Sequence, residues 1–234
     1  MGFYFLKYKR QFVCFLLVCC IIGLSCIAPG LLLFASAGVS EKTGTQYTGS
    51  ISAVNKSEPP TLHAGYAYVM DAETGRCLYE KNSGVKTPMA STTKIMTAII
   101  VLEKGNLDDI VTVSRAAAAT DGSEMHLKAG EEISVNDLLF GLLIKSGNDA
   151  AVALAEHVGG SVKDFCEMMN EKAKELGALD TNFTSPHGLD EENHYTTARD
   201  LAIIAEYAMK NDLFRQIVST KTATVNGHYL ANTN

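Results

Sequence analysis

Positive charge and cysteine are both scarce in the body of this chain. Residues 1–37 hold Lys7, Lys9 and Arg10 and no acidic residue, so the remainder carries 17 Lys and Arg against 26 Asp and Glu, net −9. Such a body lacks the basic face that nucleic-acid phosphates reward, which excludes nucleic acid as a partner. Four of the six cysteines (Cys14, Cys19, Cys20, Cys26) also lie in residues 1–37, leaving Cys77 and Cys166. These two allow one disulfide in an oxidising compartment, although isolated cysteines are more often small buried hydrophobes. The six histidines show no metal-ligand spacing such as His-Glu-x-x-His, so no zinc site and no cofactor is expected. A phosphate-cradling glycine loop and internal repeats are absent as well.

What is present begins with a leader. The cationic start is followed by an apolar stretch from Phe12 to Phe34 and then Ala35-Ser36-Ala37. That order predicts a secretory signal cleaved after Ala37, giving an exported protein, secreted or associated with the cell wall or membrane. The stretch is long for a signal, and an uncleaved membrane anchor is the alternative. Residues 38–63 are rich in Ser, Thr and Gly, close on Pro59-Pro60 and read as a flexible linker. The roughly 200 residues after the leader suffice for one good core.

From Ala64 onward the pattern predicts a hairpin, with alternation around Tyr66–Met70, a turn at Ala72–Gly75 and a returning strand at Arg76–Glu80. A helix is expected from about Ala90 to Glu103, apolar on nearly every side and therefore central. A short strand at Ile110–Val113 and a helical turn at Ser114–Thr120 follow. Helices are then predicted at Asn136–Ile144, Ala150–His157 (capped by Asn148 or Asp149), Ser161–Leu176 and Thr197–Lys210. Ala178–Tyr195 reads as loop, and Phe214–Val225 turns toward strand. The order fits a layered α/β domain better than alternating βαβ units.

Two strings carry chemistry. Ser91-Thr92-Thr93-Lys94 puts a hydroxyl and an amine at i and i+3, on one face of the central helix. A serine is a poor nucleophile until a base takes its proton, and a desolvated lysine, whose ammonium is disfavoured, can be that base. The spacing alone is weak: Ser83-Gly84-Val85-Lys86 repeats it in a glycine loop, where the lysine has no fixed direction. A serine at Ser91 also serves commonly as a helix N-cap. Ser146-Gly147-Asn148 adds a hydroxyl and an amide between two apolar helices, where buried polar groups need partners. Ser134-Val135-Asn136 imitates it. Pro186-His187-Gly188-Leu189 reads as a structural glycine turn with a hydrogen-bonded histidine.

Taken together, Ala90–Ala98, Lys145–Ala150 with Ala153–Glu156, Met169–Gly177 and Thr184–Leu189 resemble the serine-type D-alanyl-D-alanine carboxypeptidases, the low-molecular-mass penicillin-binding proteins. The resemblance covers about Ala64 to Asn234. It implies the β-lactamase/transpeptidase-like fold, an α+β domain with an antiparallel sheet covered by helices. It further implies Ser91 as the acyl-ester nucleophile, Lys94 as proton acceptor, Ser146 as proton shuttle and Asn148 as a ligand of the substrate amide. The Ser91 backbone N–H would form half of an oxyanion hole. The implied partners are peptidoglycan stem peptides ending in D-Ala-D-Ala, with β-lactams as covalent inhibitors.

Members of that family also use a Lys-Thr-Gly strand. Here Lys221-Thr222-Ala223 has alanine in place of the glycine, and the expectation is that residues 64–234 stop short of the third motif, with the C-terminal strands missing. Two other readings stay open. One is a module that binds cell-wall peptide or β-lactam without turnover. The other is a β-lactamase of the same fold, for which neither Glu156 nor Glu191 clearly supplies the usual activating glutamate.

Overall fold

The structure is a computed structural model that describes residues 61–189 and 191–232. The leader and most of the linker, residues 1–60, lie outside them. The first element is the expected hairpin, β1 (Ala67–Met70) against β2 (Cys77–Lys81), with the register shifting between Val69 and Met70. The Asp71 carboxylate accepts the Thr74 and Glu73 backbone N–H groups inside the turn, which explains the tight reversal.

A short 3₁₀ turn, Ala90–Thr92, leads into helix α1 (Thr93–Lys104). Met96, Ala98, Ile99, Ile100 and Val101 are all buried, so the absence of a polar side reflects a helix enclosed by others. It packs against α3 (Val135–Ile144), α4 (Asn148–Gly159), α5 (Val162–Glu175) and α6 (Ala198–Ala208). Ser134, Ser161 and Thr197 cap α3, α5 and α6 by accepting the N–H of Asp137, Asp164 and Asp200. On α5 the buried face is Phe165, Met169 and Ala173, spaced by four residues. Each large side chain so buried contributes about 2 kcal/mol relative to exposure.

Between α1 and α3, strand β3 (Ile110–Thr112) pairs antiparallel with β4 (Glu132–Ser134), and a one-turn helix α2 (Arg115–Ala118) lies between them in sequence. The chain ends in helix α7 (Asp212–Ser219) and a hairpin of β5 (Thr222–Val225) and β6 (His228–Ala231). All pairing among the described strands is antiparallel, as expected. Among the described residues the strands form three two-stranded units, packed on α6, α4 and α3 respectively.

One expectation needs correction. Phe214–Ser219 is helix, not strand: Asn211 caps it by accepting the Phe214 N–H at 3.0 Å, and Phe214 and Ile217 are buried on one helical face. Strand character starts only at Thr222. Cys77 and Cys166 do not form a disulfide: Cys77 is exposed on β2, whereas Cys166 is buried on α5, and both are free. Burial pushes the Cys166 thiol up to about 11, which leaves it unreactive at neutral pH. Among the described residues no helix is long and apolar enough to cross a membrane.

Candidate active site

Ser91 sits in the 3₁₀ turn ahead of α1, exposed, and Lys94 lies one turn further on, only 2% exposed. The helix directs the lysine back so that Nζ lies 3.1 Å from Ser91 Oγ. The commoner role of such a serine is not taken, because no side-chain cap closes the start of α1. Nζ also donates to Asn148 Oδ1 at 2.7 Å and to the His187 carbonyl at 3.0 Å. Three acceptors therefore face the three hydrogens of the ammonium.

Burial drives the Lys94 pKa down from 10.5 to about 8, and the Asp149 carboxylate pulls in the opposite direction without reversing it. On losing a proton, Nζ keeps two hydrogens for the fixed acceptors Asn148 Oδ1 and His187 O. Its lone pair is then left facing the Ser91 hydroxyl. That arrangement can withdraw a proton from serine.

Asn148 opens α4 and is almost fully buried. Its Nδ2 donates to the Asp121 carbonyl at 2.6 Å, and its backbone N–H donates to Ser123 O, also at 2.6 Å. Both ends of the amide are thus engaged, which fixes Oδ1 toward Lys94. Asn148 and Asp149 are not side-chain caps of α4, as Gly147 holds that position. Asp149, 1% exposed, instead accepts the N–H groups of Met125, Leu127 and Ala150 at 2.9–3.1 Å. The carboxylate straps the 121–127 loop over the site. Ser146 is half-buried with φ +60, two residues before Asn148. Among the described residues its hydroxyl makes no hydrogen bond to Ser91 or Lys94.

Sequence reasoning missed the contribution of the 184–194 loop. Pro186–Leu189 is the glycine turn expected, with His187 Nδ1 accepting the Leu189 N–H at 3.2 Å. It also supplies the His187 carbonyl to Lys94. Burial and the Lys94 ammonium together hold the His187 imidazole below its ordinary pKa, against the pull of Glu191. Thr97 Oγ1 donates to Pro186 O at 2.6 Å, and His194 Nε2 meets Thr93 Oγ1 at 2.8 Å, pinning the loop to α1. The Thr184 N–H donates to His194 Nδ1, so Nε2 carries the proton. Gly188 (φ +85) presses on the turn before Ser91: an added Cβ would come within 2.0 Å of the Ala90 carbonyl oxygen. Ala90 itself has φ +47, a conformation that costs a non-glycine residue of order 1 kcal/mol and is held only by such packing. Lys221-Thr222-Ala223 enters the β5–β6 hairpin and makes no hydrogen bond to the Ser91–Lys94 pair. No cluster of potential metal ligands occurs among the described residues.

Residues 53–234 match the Peptidase S11 family, D-alanyl-D-alanine carboxypeptidase. The chain belongs to that family. It is 38% identical over 214 residues to D-alanyl-D-alanine carboxypeptidase DacF of Bacillus subtilis, covering 87% of this chain and 52% of that one. A mutant of the Streptomyces K15 DD-transpeptidase superposes with a TM-score of 0.70 at 40% identity, over 75% of this chain and 76% of the other. Penicillin binding protein 5 from Haemophilus influenzae gives 0.70 at 38% identity, over 74% of this chain and 53% of the other. The fold is therefore that of the transpeptidase/β-lactamase class, as the Ser91 and Ser146 strings implied. The chain spans about half the length of curated relatives such as the Bacillus protein.

Proposed function

We propose that this S11-family chain is a serine D,D-carboxypeptidase that removes the terminal D-alanine of peptidoglycan stem peptides through an acyl-enzyme. The observation that carries the reading is the buried Lys94 amine, 3.1 Å from Ser91 Oγ and with its pKa near 8. Ser91 Oγ attacks the carbonyl between the two D-alanines while its proton passes to Lys94 Nζ. The Ser91 N–H supports the oxyanion. The proton then reaches the leaving amine by way of the Ser146 hydroxyl, the C–N bond breaks, and D-alanine departs. Asn148, held by Asp121 and Ser123, orients both Lys94 and the substrate amide. Water finally attacks the Ser91 ester, its proton passing to Lys94 Nζ and from there to Ser91 Oγ as the ester C–O bond breaks, which releases the shortened peptide and restores the hydroxyl.

A β-lactam would follow the first half of this path. Its ring C–N bond opens, but the leaving amine stays tethered, so the ester persists. The N-terminal segment would deliver the domain outside the cytoplasm, either cleaved after Ala37 or kept as an anchor, with residues 38–63 as the tether.

The test is D-alanine release from diacetyl-lysyl-D-alanyl-D-alanine, alongside labelling by a fluorescent penicillin. Release and label should both vanish in Ser91→Ala. A label without release would favour the binding module, and rapid turnover of penicillin itself would favour the β-lactamase. No label at all on the folded protein would overturn the acyl-transfer reading.

A further inference from the structure

Beside Ser146 opens a pocket of about 330 Å³, lined by Gly122, Ser123, Glu124, His126, Lys145 and Ala231. One wall is the 121–126 loop, which Asn148 holds: its amide Nδ2 donates to Asp121 O, and its backbone N–H donates to Ser123 O. Gly122 (φ +99) lies so close that an added Cβ would stand 2.6 Å from Asn148 Nδ2. The loop that walls the pocket is therefore held by the residue assigned to the substrate amide. A peptide running away from the scissile bond past Asn148 meets this wall.

The charges in the pocket are unequally engaged. His126 has φ +68, and its two neighbours, Met125 and Leu127, both give their N–H groups to the Asp149 carboxylate. This fixes the imidazole on the outer side of the loop, 3.0 Å from the Glu124 carboxylate, which it occupies. On the other wall stands Lys145, the C-cap of α3 and the residue before Ser146. Among the described residues its ammonium has neither a hydrogen bond nor an ion pair, and the Ser123 hydroxyl likewise has no side-chain partner. An open ammonium with a free hydroxyl nearby recognises an anion that accepts hydrogen bonds.

We infer that this pocket is a subsite for a carboxylate carried on the acyl part of the peptide substrate, with Lys145 as its counter-charge. The inference rests on the acyl-transfer reading above and adds a specificity determinant to it. Lys145 is exposed, so the pair works in water and the discrimination is modest, about fivefold.

The test uses two acetylated peptides, X-D-Ala-D-Ala, in which X is 2-aminoadipate or its side-chain amide. Calorimetric binding to the Ser91→Ala protein reads the subsite without turnover. The carboxylate peptide should bind about fivefold tighter than the amide, and high salt should narrow the gap. Lys145→Ala should bring the ratio to one, and Lys145→Glu should invert it. Equal binding of both peptides, or a ratio that survives Lys145→Ala, overturns the subsite. A third peptide, amidated at the terminal carboxyl, separates the other carboxylate: if the effect of Lys145→Ala disappears with that change, Lys145 holds the leaving D-alanine and the acyl-side assignment is wrong. Penicillin labelling of Ser91 in the unmutated protein reports on the acyl-transfer reading independently of these ratios.

Discussion

In the loop after β2, Ser83 gives its hydroxyl proton to Glu80 Oε2 at 2.6 Å, while Lys86 pairs with Asp180 at 3.4 Å and lies 4.6 Å from the Tyr195 ring centre. Further along the chain the same Ser-x-x-Lys spacing, carried by α1, brings the Lys94 amine to 3.1 Å from the Ser91 hydroxyl. The two lysines are pushed in opposite directions. At Lys86 partial desolvation pulls the pKa down, but Tyr195 and Asp180 outweigh it and the net shift is upward. At Lys94 desolvation prevails over Asp149, and the value falls to about 8. Lys172 makes the same point from the interior. It is only 7% exposed, yet Glu103 at 2.8 Å and Glu175 at 3.1 Å outweigh its desolvation and hold it protonated. Burial lowers a lysine pKa only where neutral acceptors replace carboxylates as its nearest partners.

Truncating the lysine of each copy should break the symmetry of spacing most sharply. Lys94→Ala should slow acylation by penicillin about a thousandfold or more, while Lys86→Ala should leave it within about twofold, measured by stopped-flow or gel labelling. A comparable loss in both variants would mean that spacing, not environment, sets the chemistry.

Gly188→Ala attacks the packing that shapes only the Ser91 copy. The new Cβ meets Ala90 O at 2.0 Å at a φ of +85, so the loop must move and His187 O must leave Lys94. A loss of about 3 to 5 kcal/mol in urea unfolding is expected. Lys94 should also leave a signature in stability against pH. Below about pH 8 the folded and unfolded chains both carry the proton, and the fold bears the full cost of burying the charge. Between about 8 and 10.5 the folded chain has released a proton that the unfolded chain still binds, so stability rises with pH, by about 3 kcal/mol in all. The difference between the unmutated protein and Lys94→Met should show that rise. The smallest effect belongs to the other copy: Ser83→Ala should cost about 1 kcal/mol through the lost Glu80 bond and leave labelling intact.

The parts of the fold legible in sequence were those with local signals. The all-round apolar run of α1 marked its central place, and the helices expected from Asn136, Ser161 and Thr197 begin within a residue of where the Ser134, Ser161 and Thr197 caps set them. Helix α7 was misread because β-branched Ile217 and Val218 favour strands; the cap at Asn211 and the 3–4 spacing of Phe214, Ile217 and Val218 were the better guide. At the site, Ser91, Lys94 and Asn148 were legible because they sit on helix ends with fixed directions. Ser146, expected as a proton shuttle, makes no hydrogen bond to the Ser91–Lys94 pair among the described residues. The His187 carbonyl was invisible, since any residue supplies that atom and only folding of a distant loop brings it to Lys94. Asp149 looked like a local cap, but its partners Met125 and Leu127 lie far off in the chain. Contacts of high sequence separation leave no periodicity to read.

The most direct measurement is the rate constant for Ser91 acylation by a fluorescent penicillin as a function of pH. A neutral Lys94 amine as base requires the rate to climb through an apparent pKa near 8, from about a tenth of its plateau at pH 7. A rate that is flat across that range, or that rises only near the ordinary lysine value of 10.5, would contradict the account.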